Sequence, residues 1–429
     1  MSLESLLLLS CRSPFLDDSK IYVPLANLYL KSFVNECLPY VRVELGDDEY
    51  TDLNRFEEFD AIGISIMTPQ REEANTLLRR IKERFPKKIV IAGGPHCKHY
   101  SEEIQSQPFD FIVPLDGEKA LVDILSHSDV PRIIRDVMTK QDILSQPRPD
   151  RTSANAISII KNYHYRLGNR DATTMMTARG CPEQCTFCED ARTAVKWSSI
   201  ENLRAEMDDI RDLGYKGVYI FDDLFAIAMP TVRPICEALN EKDLIYRCNA
   251  QARYFTKWGE EFAKLLAATG CYEIAFGAES GSQKILDNIK KRTTVQQNYL
   301  TVQYAKQNGI IVKAFILLGL PGEDWQSLRE TERFIADSGI DDFQCAIYYP
   351  YKGTQIRDAI DRGDNSNDLI FQGEGLGAYG QKGGNTEAVV RTGALTRDEL
   401  MEFRNYLVGK YKPESHGKFF DTHLATGAS

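Results

Sequence analysis

The stretch Thr177-Ala178-Arg179-Gly180-Cys181-Pro182-Glu183-Gln184-Cys185-Thr186-Phe187-Cys188 sets three cysteines within eight residues, spaced by three and then two. Glycine and proline flank the first cysteine, so a turn opens the run. Iron–sulfur clusters are held by cysteine thiolates, normally four. Three thiolates this close in sequence can grip three corners of a cube and leave the fourth iron open to a small molecule. A structural zinc site would need four N or S ligands, usually in paired short spacings. No partner pair accompanies this run, and the next cysteine is Cys236.

The rest of the composition agrees with such a centre. A chain of 429 residues is long enough for two or three domains and a large core. The net charge of −10 argues against non-specific nucleic-acid binding, which needs a basic surface. The chain has 10 cysteines, and the seven outside the run are scattered singly, several in apolar stretches such as 244–248 and 343–349. That pattern reads as reduced, buried thiols and not as a disulfide framework. The apolar start Ser5–Ser10 is short and lacks the basic flank and cleavage site of a signal peptide. No run reaches the roughly 18 apolar residues of a membrane span. The expectation is a cytoplasmic, reducing location with no membrane partner.

Downstream of the cysteines, short apolar runs alternate with helical patterns. Strands are expected at 174–177, 217–221, 245–250, 272–276, 312–318 and 343–348, with helices at 200–213, 232–240, 258–268, 295–308 and 325–337. Six such units predict a partial (βα)6 barrel with its chemistry at the carboxyl ends of the strands. Upstream, strands at 6–10, 41–45, 61–66, 89–92 and 109–114 alternate with helices at 25–37 and 72–85, which predicts a doubly wound, Rossmann-like parallel sheet. The two closely spaced prolines of Gln146-Pro147-Arg148-Pro149-Asp150 disfavour helix and ladder and mark a linker. The domains are therefore read as 1–145 (sheet), 146–172 (linker), 173–355 (barrel) and 356–429 (C-terminal extension). Glycines crowd residues 360–395, which suggests a flap. A helix follows over 396–410, with Thr396 and Glu399 forming a capping box.

Strand ends carry the remaining candidates. In the first sheet these are Ser65 and Thr68, then Gly93-Gly94-Pro95-His96, then Asp116-Gly117-Glu118. Two glycines let a flat ligand lie on the backbone, although each segment also reads as an ordinary tight turn. In the barrel, Asp222 and Asp223 end the second strand, where an acid pair can serve a ligand or simply cap a helix. Arg253 lies past the third strand, where a guanidinium can grip a carboxylate bidentately or form a surface ion pair.

The Cys-x3-Cys-x2-Cys spacing, with aromatic Phe187 before the last cysteine, matches the signature of the radical SAM superfamily. The first 130 residues or so resemble the cobalamin-binding domain of one branch of it, through 23–30, Gly63-Ile64-Ser65, 92–96 and 116–120. The branch also shares Phe276-Gly277-Ala278-Glu279-Ser280-Gly281-Ser282, Gly319-Leu320-Pro321-Gly322-Glu323 and 349–354. The resemblance implies a [4Fe-4S] cluster on Cys181, Cys185 and Cys188. It implies S-adenosylmethionine at Phe187, Asp222 (amino group, with Asp223 as runner-up), Arg253 (carboxylate), Glu279 and Ser280 (ribose), and Gly319 and Pro321 (adenine). It implies cobalamin at Pro24, Leu25, Ser65, Thr68, Gly93, Gly94, Pro95, Gly117 and Glu118. The Asp-x-His-x-x-Gly element that supplies an axial histidine in part of the family is absent, so cobalamin would bind without one, or the domain would be degenerate.

The activity so implied is reductive cleavage of S-adenosylmethionine to a 5′-deoxyadenosyl radical. That radical takes hydrogen from a small-molecule substrate, such as a natural-product intermediate, and cobalamin-dependent C-methylation follows. The alternative is radical dehydration, deoxygenation, ring rearrangement or oxidation without methyl transfer. A reducing partner of the flavodoxin or ferredoxin class is implied, and no nucleic acid.

Overall fold

The computed structural model describes residues 3–12, 16, 18–47, 53–127, 129–364, 368–372 and 387–412. They fall into two compact units. One takes in Asp18–Tyr165 and Lys196–Leu213 with the leading strand; the other takes in Arg166–Val195 and what is described from Gly214 onward.

In the first unit, β1 (Ser5–Ser10), β2 (Arg42–Asp47), β3 (Ala61–Ser65), β4 (Ile89–Gly93) and β5 (Phe111–Val113) form one sheet in the order β2-β1-β3-β4-β5. Every pairing is parallel, with Leu6 opposite Ala61 and Ile62 opposite Val90. Leu6, Leu7, Leu8 and Leu9 are all buried, as a strand covered on both faces requires. Helices α1 (Leu25–Cys37), α2 (Arg71–Arg84) and α3 (Gly117–Ser126) complete the alternation. On α2 the apolar residues Ala74, Leu77, Leu78 and Ile81 recur at helical spacing and join Leu7, Leu9, Ile62 and Ile64 in the core. The strand order reverses between β1 and β3, which puts the ligand crevice of such a sheet at the carboxyl ends of those two strands.

Helix α4 (Ile200–Asp212) belongs to this unit. It is fixed by the proline-rich stretch, whose backbone cannot pair with a sheet. Asn202 donates to the Gln146 carbonyl at 2.7 Å, and Arg148 pairs with Asp209 at 2.6 Å. Arg151, 1% exposed, pairs with the equally buried Glu206 at 2.8 Å.

The second unit holds β6 (Arg170–Met175), β7 (Gly217–Ile220), β8 (Ile245–Ala250), β9 (Cys271–Glu279), β10 (Ile311–Leu318) and β11 (Asp342–Ile347). They lie side by side in chain order, all parallel, with a short antiparallel strand, Arg166–Leu167, beside β6. This is the expected partial (βα)6 barrel, and the first sheet is the expected doubly wound one.

Two local expectations change. The helix expected over 258–268 starts at Glu260, because Gly259 sits at φ 65°, ψ −155°, and a further helix, Ala252–Trp258, precedes it. The helix expected from Val232 starts at Met229, with a proline in its first turn, where no donor is lost. Residues 373–386 of the expected flap, and the tail after Pro413, lie outside the described residues. On either side of the former, Leu369–Phe371 and Val390–Thr392 pair antiparallel. Thr396 and Glu399 form the expected capping box. No described helix is long and apolar enough to cross a membrane.

Candidate active site

The cysteine loop leaves the carboxyl end of β6. Its entrance needs Gly180, whose φ is +99°; a Cβ there would lie 2.4 Å from the Ala194 carbonyl oxygen. The returning chain closes the loop. The Cys181 N–H donates to Thr193 Oγ1 at 2.8 Å, the Thr193 N–H to the Cys181 carbonyl at 3.0 Å, and the Arg192 N–H to the Glu183 carbonyl at 2.7 Å. Cys185 is buried; Cys181 and Cys188 are half-buried. Burial pushes the Cys181 thiol up to about 11, the Cys188 thiol up to about 12, and the Cys185 thiol up as well. Such thiols ionise on meeting a metal, which is how cysteine ligands bind. Among the described residues no group of three or more His, Cys, Asp or Glu side chains surrounds the position of a single ion. Ligands on separate corners of a cube do not have to converge in that way.

Two acids from the end of β7 hold the loop from below. Asp222, 1% exposed, accepts from the Thr177 N–H at 2.6 Å, from the Ala178 N–H at 3.1 Å and from the Thr177 hydroxyl. Asp223 accepts from the Gly180 N–H at 2.8 Å. Burial raises the Asp222 carboxyl to about 7 against the pull of those donors. The sequence reading set Asp222 against a ligand amino group; here both of its oxygens are engaged by the start of the cysteine loop.

Glu183, inside the loop and 3% exposed, ties it to the end of β8. It accepts from Arg253, from the Tyr254 hydroxyl at 2.5 Å and from Gln251 Nε2 at 3.2 Å. Arg253 also lies over the Tyr254 ring, 4.6 Å from its centroid. Its Nε is buried and has no hydrogen-bond partner among the described residues, and neither do Gln251 Oε1 and Thr186 Oγ1. A ligand carboxylate would satisfy that Nε, so the donor set fits an anionic group beside the cysteines.

At the end of β9, Glu279 has φ +59°, a conformation costly for a residue with a side chain and typical of functional sites. Its Oε1 lies 2.6 Å from Lys291 Nζ, and that ammonium is 5.7 Å from the centroid of Phe187. Ser280, expected against a ribose, is fully buried and turned to Thr331 Oγ1 at 3.0 Å and to the Ser282 N–H at 3.1 Å. In the turn after β10, the Gly319 N–H donates to Glu323, and the Pro321 carbonyl accepts from Asn288 at 2.9 Å. Those two backbone groups are thus already used, the first within the turn and the second by a side chain of the helix Gln283–Asn288. Sequence reading missed Glu183, Tyr254, Gln251 and Lys291. Only Glu183 carried a signal, its place between two of the cysteines.

In the first unit, Ser65 ends β3 and Gly93 ends β4. Gly94 turns at φ +95°, and a Cβ on it would meet both Ile66 N and Ile66 O at 2.8 Å. The Ile66 carbonyl accepts from the His96 N–H at 3.0 Å, and His96 Nδ1 lies 3.3 Å from Thr68 Oγ1. Thr68 and His96 are buried, so the Thr68 hydroxyl serves this turn. Pro95 is exposed, while Pro24, Ser65, Gly93 and Gly117 are half-buried at the strand and helix ends; Leu25 and Glu118 are buried. A Cβ on Gly93 would meet the Val113 carbonyl oxygen at 3.8 Å, an ordinary van der Waals contact, so packing within the protein does not require a glycine there.

The family model of the radical SAM superfamily matches residues 175–335, and that of the B12 binding domain matches residues 40–125. An uncharacterized methyltransferase of Pyrococcus horikoshii is 28% identical over 355 residues, 78% of this chain and 77% of its own length. The anaerobic magnesium-protoporphyrin IX monomethyl ester cyclase of Rubrivivax gelatinosus is 25% identical over 338 residues, 72% of this chain and 60% of its own. Among solved structures, the radical S-adenosylmethionine methyltransferase TsrM of Kitasatospora setae, with cobalamin and a [4Fe-4S] cluster bound, shares the fold at a TM-score of 0.70 and 16% identity. That match covers 87% of this chain and 82% of the other.

Proposed function

We propose, from the premise that this chain joins a B12-binding domain to a radical SAM domain, that it is a cobalamin-dependent enzyme that methylates an unactivated carbon of a small molecule. The observation that carries the reading is a donor set: three cysteines of one loop within eight residues, and a buried Arg253 Nε that lacks a partner among the described residues. When bound, the cluster supplies the electron that cleaves S-adenosylmethionine to an adenosyl radical, and cobalamin supplies the methyl group.

The residues divide that work. Cys181, Cys185 and Cys188 hold the cluster, and Asp222, Asp223 and Glu183 keep their loop in one shape. Arg253 takes the methionyl carboxylate through Nε while Glu183 holds its other end. Glu279 faces the ribose, and Phe187 lies against the cofactor. The backbone at Gly93 and Gly94, with Ser65, Gly117 and the start of α1 at Pro24 and Leu25, cradles cobalamin.

A second reading, radical chemistry without methyl transfer, is favoured by the likeness to a protein named a cyclase. The deciding experiment reconstitutes the protein with iron, sulfide and cobalamin. A retained corrin absorption band together with 5′-deoxyadenosine formation supports the methyltransferase. Formation of 5′-deoxyadenosine by protein that excludes cobalamin sinks it and leaves the second reading.

A further inference from the structure

Lys291 is brought to the cysteine loop by the fold alone, a hundred or so residues downstream of it. It follows the helix Gln283–Asn288, and its N–H donates to the Leu286 carbonyl at 2.9 Å. Its neighbours Lys290 and Arg292 have φ of 52° and 58°, so the backbone on both sides is held in the left-handed region. Its carbonyl accepts from Gln251 Nε2 at 3.2 Å, the same amide that binds Glu183 in the loop.

Its side chain is 9% exposed, and that of its partner Glu279 is 8% exposed. The pair lies over Gly277: a Cβ there would come within 2.6 Å of Lys291 Nζ and 2.1 Å of Glu279 Oε1. On its other side is the Phe187 ring, between Cys185 and Cys188 in the chain. Burial works to lower the Lys291 ammonium, but the Glu279 carboxylate 2.6 Å away outweighs it and keeps the charge in place.

We infer that Lys291 is a positioning residue whose fixed positive charge raises the reduction potential of the cluster held by Cys181, Cys185 and Cys188, with Glu279 as the counter-ion that limits the effect. The inference rests on the proposed function. A cluster that takes up one electron becomes more negative, and a nearby cation stabilises that state. Net charge and solvent exposure are among the established determinants of cluster potential. Glu279, expected to face the ribose, is thereby linked to the redox centre.

The test is a dithionite titration of the reconstituted protein without S-adenosylmethionine, followed by electron paramagnetic resonance. At the potential where wild type is half reduced, Lys291→Met lowers the reduced-to-oxidised ratio by at least about fivefold, the order of effect of losing one nearby charge. Lys291→Arg restores it, and Glu279→Gln moves it the other way. Cluster potentials in Lys291→Met and Glu279→Gln that both equal the wild-type value overturn the inference and leave the proposed function standing. If Lys291→Met loads no cluster, Glu279→Gln decides alone, and an unchanged or lower potential overturns the inference. A wild-type protein that assembles no such cluster overturns the proposed function, and this inference with it.

Discussion

Arg253, at the end of β8, donates to Glu183, an acid that lies between two of the cysteines. The bond makes the cysteine loop and the proposed carboxylate grip one unit, so their effects are not additive. Glu183→Gln removes the charge that aligns Arg253 and lowers S-adenosylmethionine affinity about tenfold, or about 1.4 kcal/mol. Arg253→Met lowers it at least as much, and the double variant binds no worse than Arg253→Met alone. Calorimetry on the three variants measures the coupling; full additivity would separate the two residues.

Glu323 makes a pH prediction. It is 1% exposed, its Oε1 has no partner among the described residues, and burial raises its carboxyl from 4.5 to about 8. The folded state therefore keeps a proton that the unfolded chain has lost between about pH 4.5 and 8. Across that window this group makes folding less favourable as pH rises, with its stability fully present below the window. Urea unfolding at pH 5 and pH 8 should show Glu323→Gln losing less stability than wild type over the interval. An unchanged difference would mean that Glu323 is ionised in the fold.

Gly94→Ala forces a Cβ against the backbone of Ile66 at a φ of +95°. The change should cost about 1–3 kcal/mol and displace the turn that carries Gly93 and Pro95. Retention of a corrin absorption band after gel filtration should fall in the variant while the iron content of the protein holds. Equal loss of iron would place the defect elsewhere.

Arg151 and Glu206 form an ion pair with both side chains at 0–1% exposure. Removing one partner strands the other charge, so Arg151→Ala should destabilise by about 3–5 kcal/mol. A paired replacement by apolar residues of similar size should recover most of it. Chemical denaturation of both variants checks the difference.

The fold was legible wherever pattern and punctuation agreed. Ile245–Ala250 and Trp325–Asp337 lie where apolar periodicity puts them, and Thr396 caps its helix through Glu399. The start of the helix expected at 258 falls at Glu260, because a single glycine, Gly259, in an apolar helical pattern does not announce its φ. The cysteine spacing and strand-end motifs pointed to the superfamily whose family model matches residues 175–335, since they are local in sequence. What the side chains touch was less legible. Asp222 looked available to a ligand, but its oxygens meet Thr177 and Ala178 across 44–45 positions of chain. Lys291 carried no signal at all, because its partners Glu279 and Phe187 come from other segments.

The most direct test of the account is 5′-deoxyadenosine formation from S-adenosylmethionine by anaerobically reconstituted, dithionite-reduced protein, wild type beside Cys185→Ala. The account predicts product from wild type and none from the variant. Product from Cys185→Ala, or none from wild type with a full complement of iron and sulfide, would contradict it.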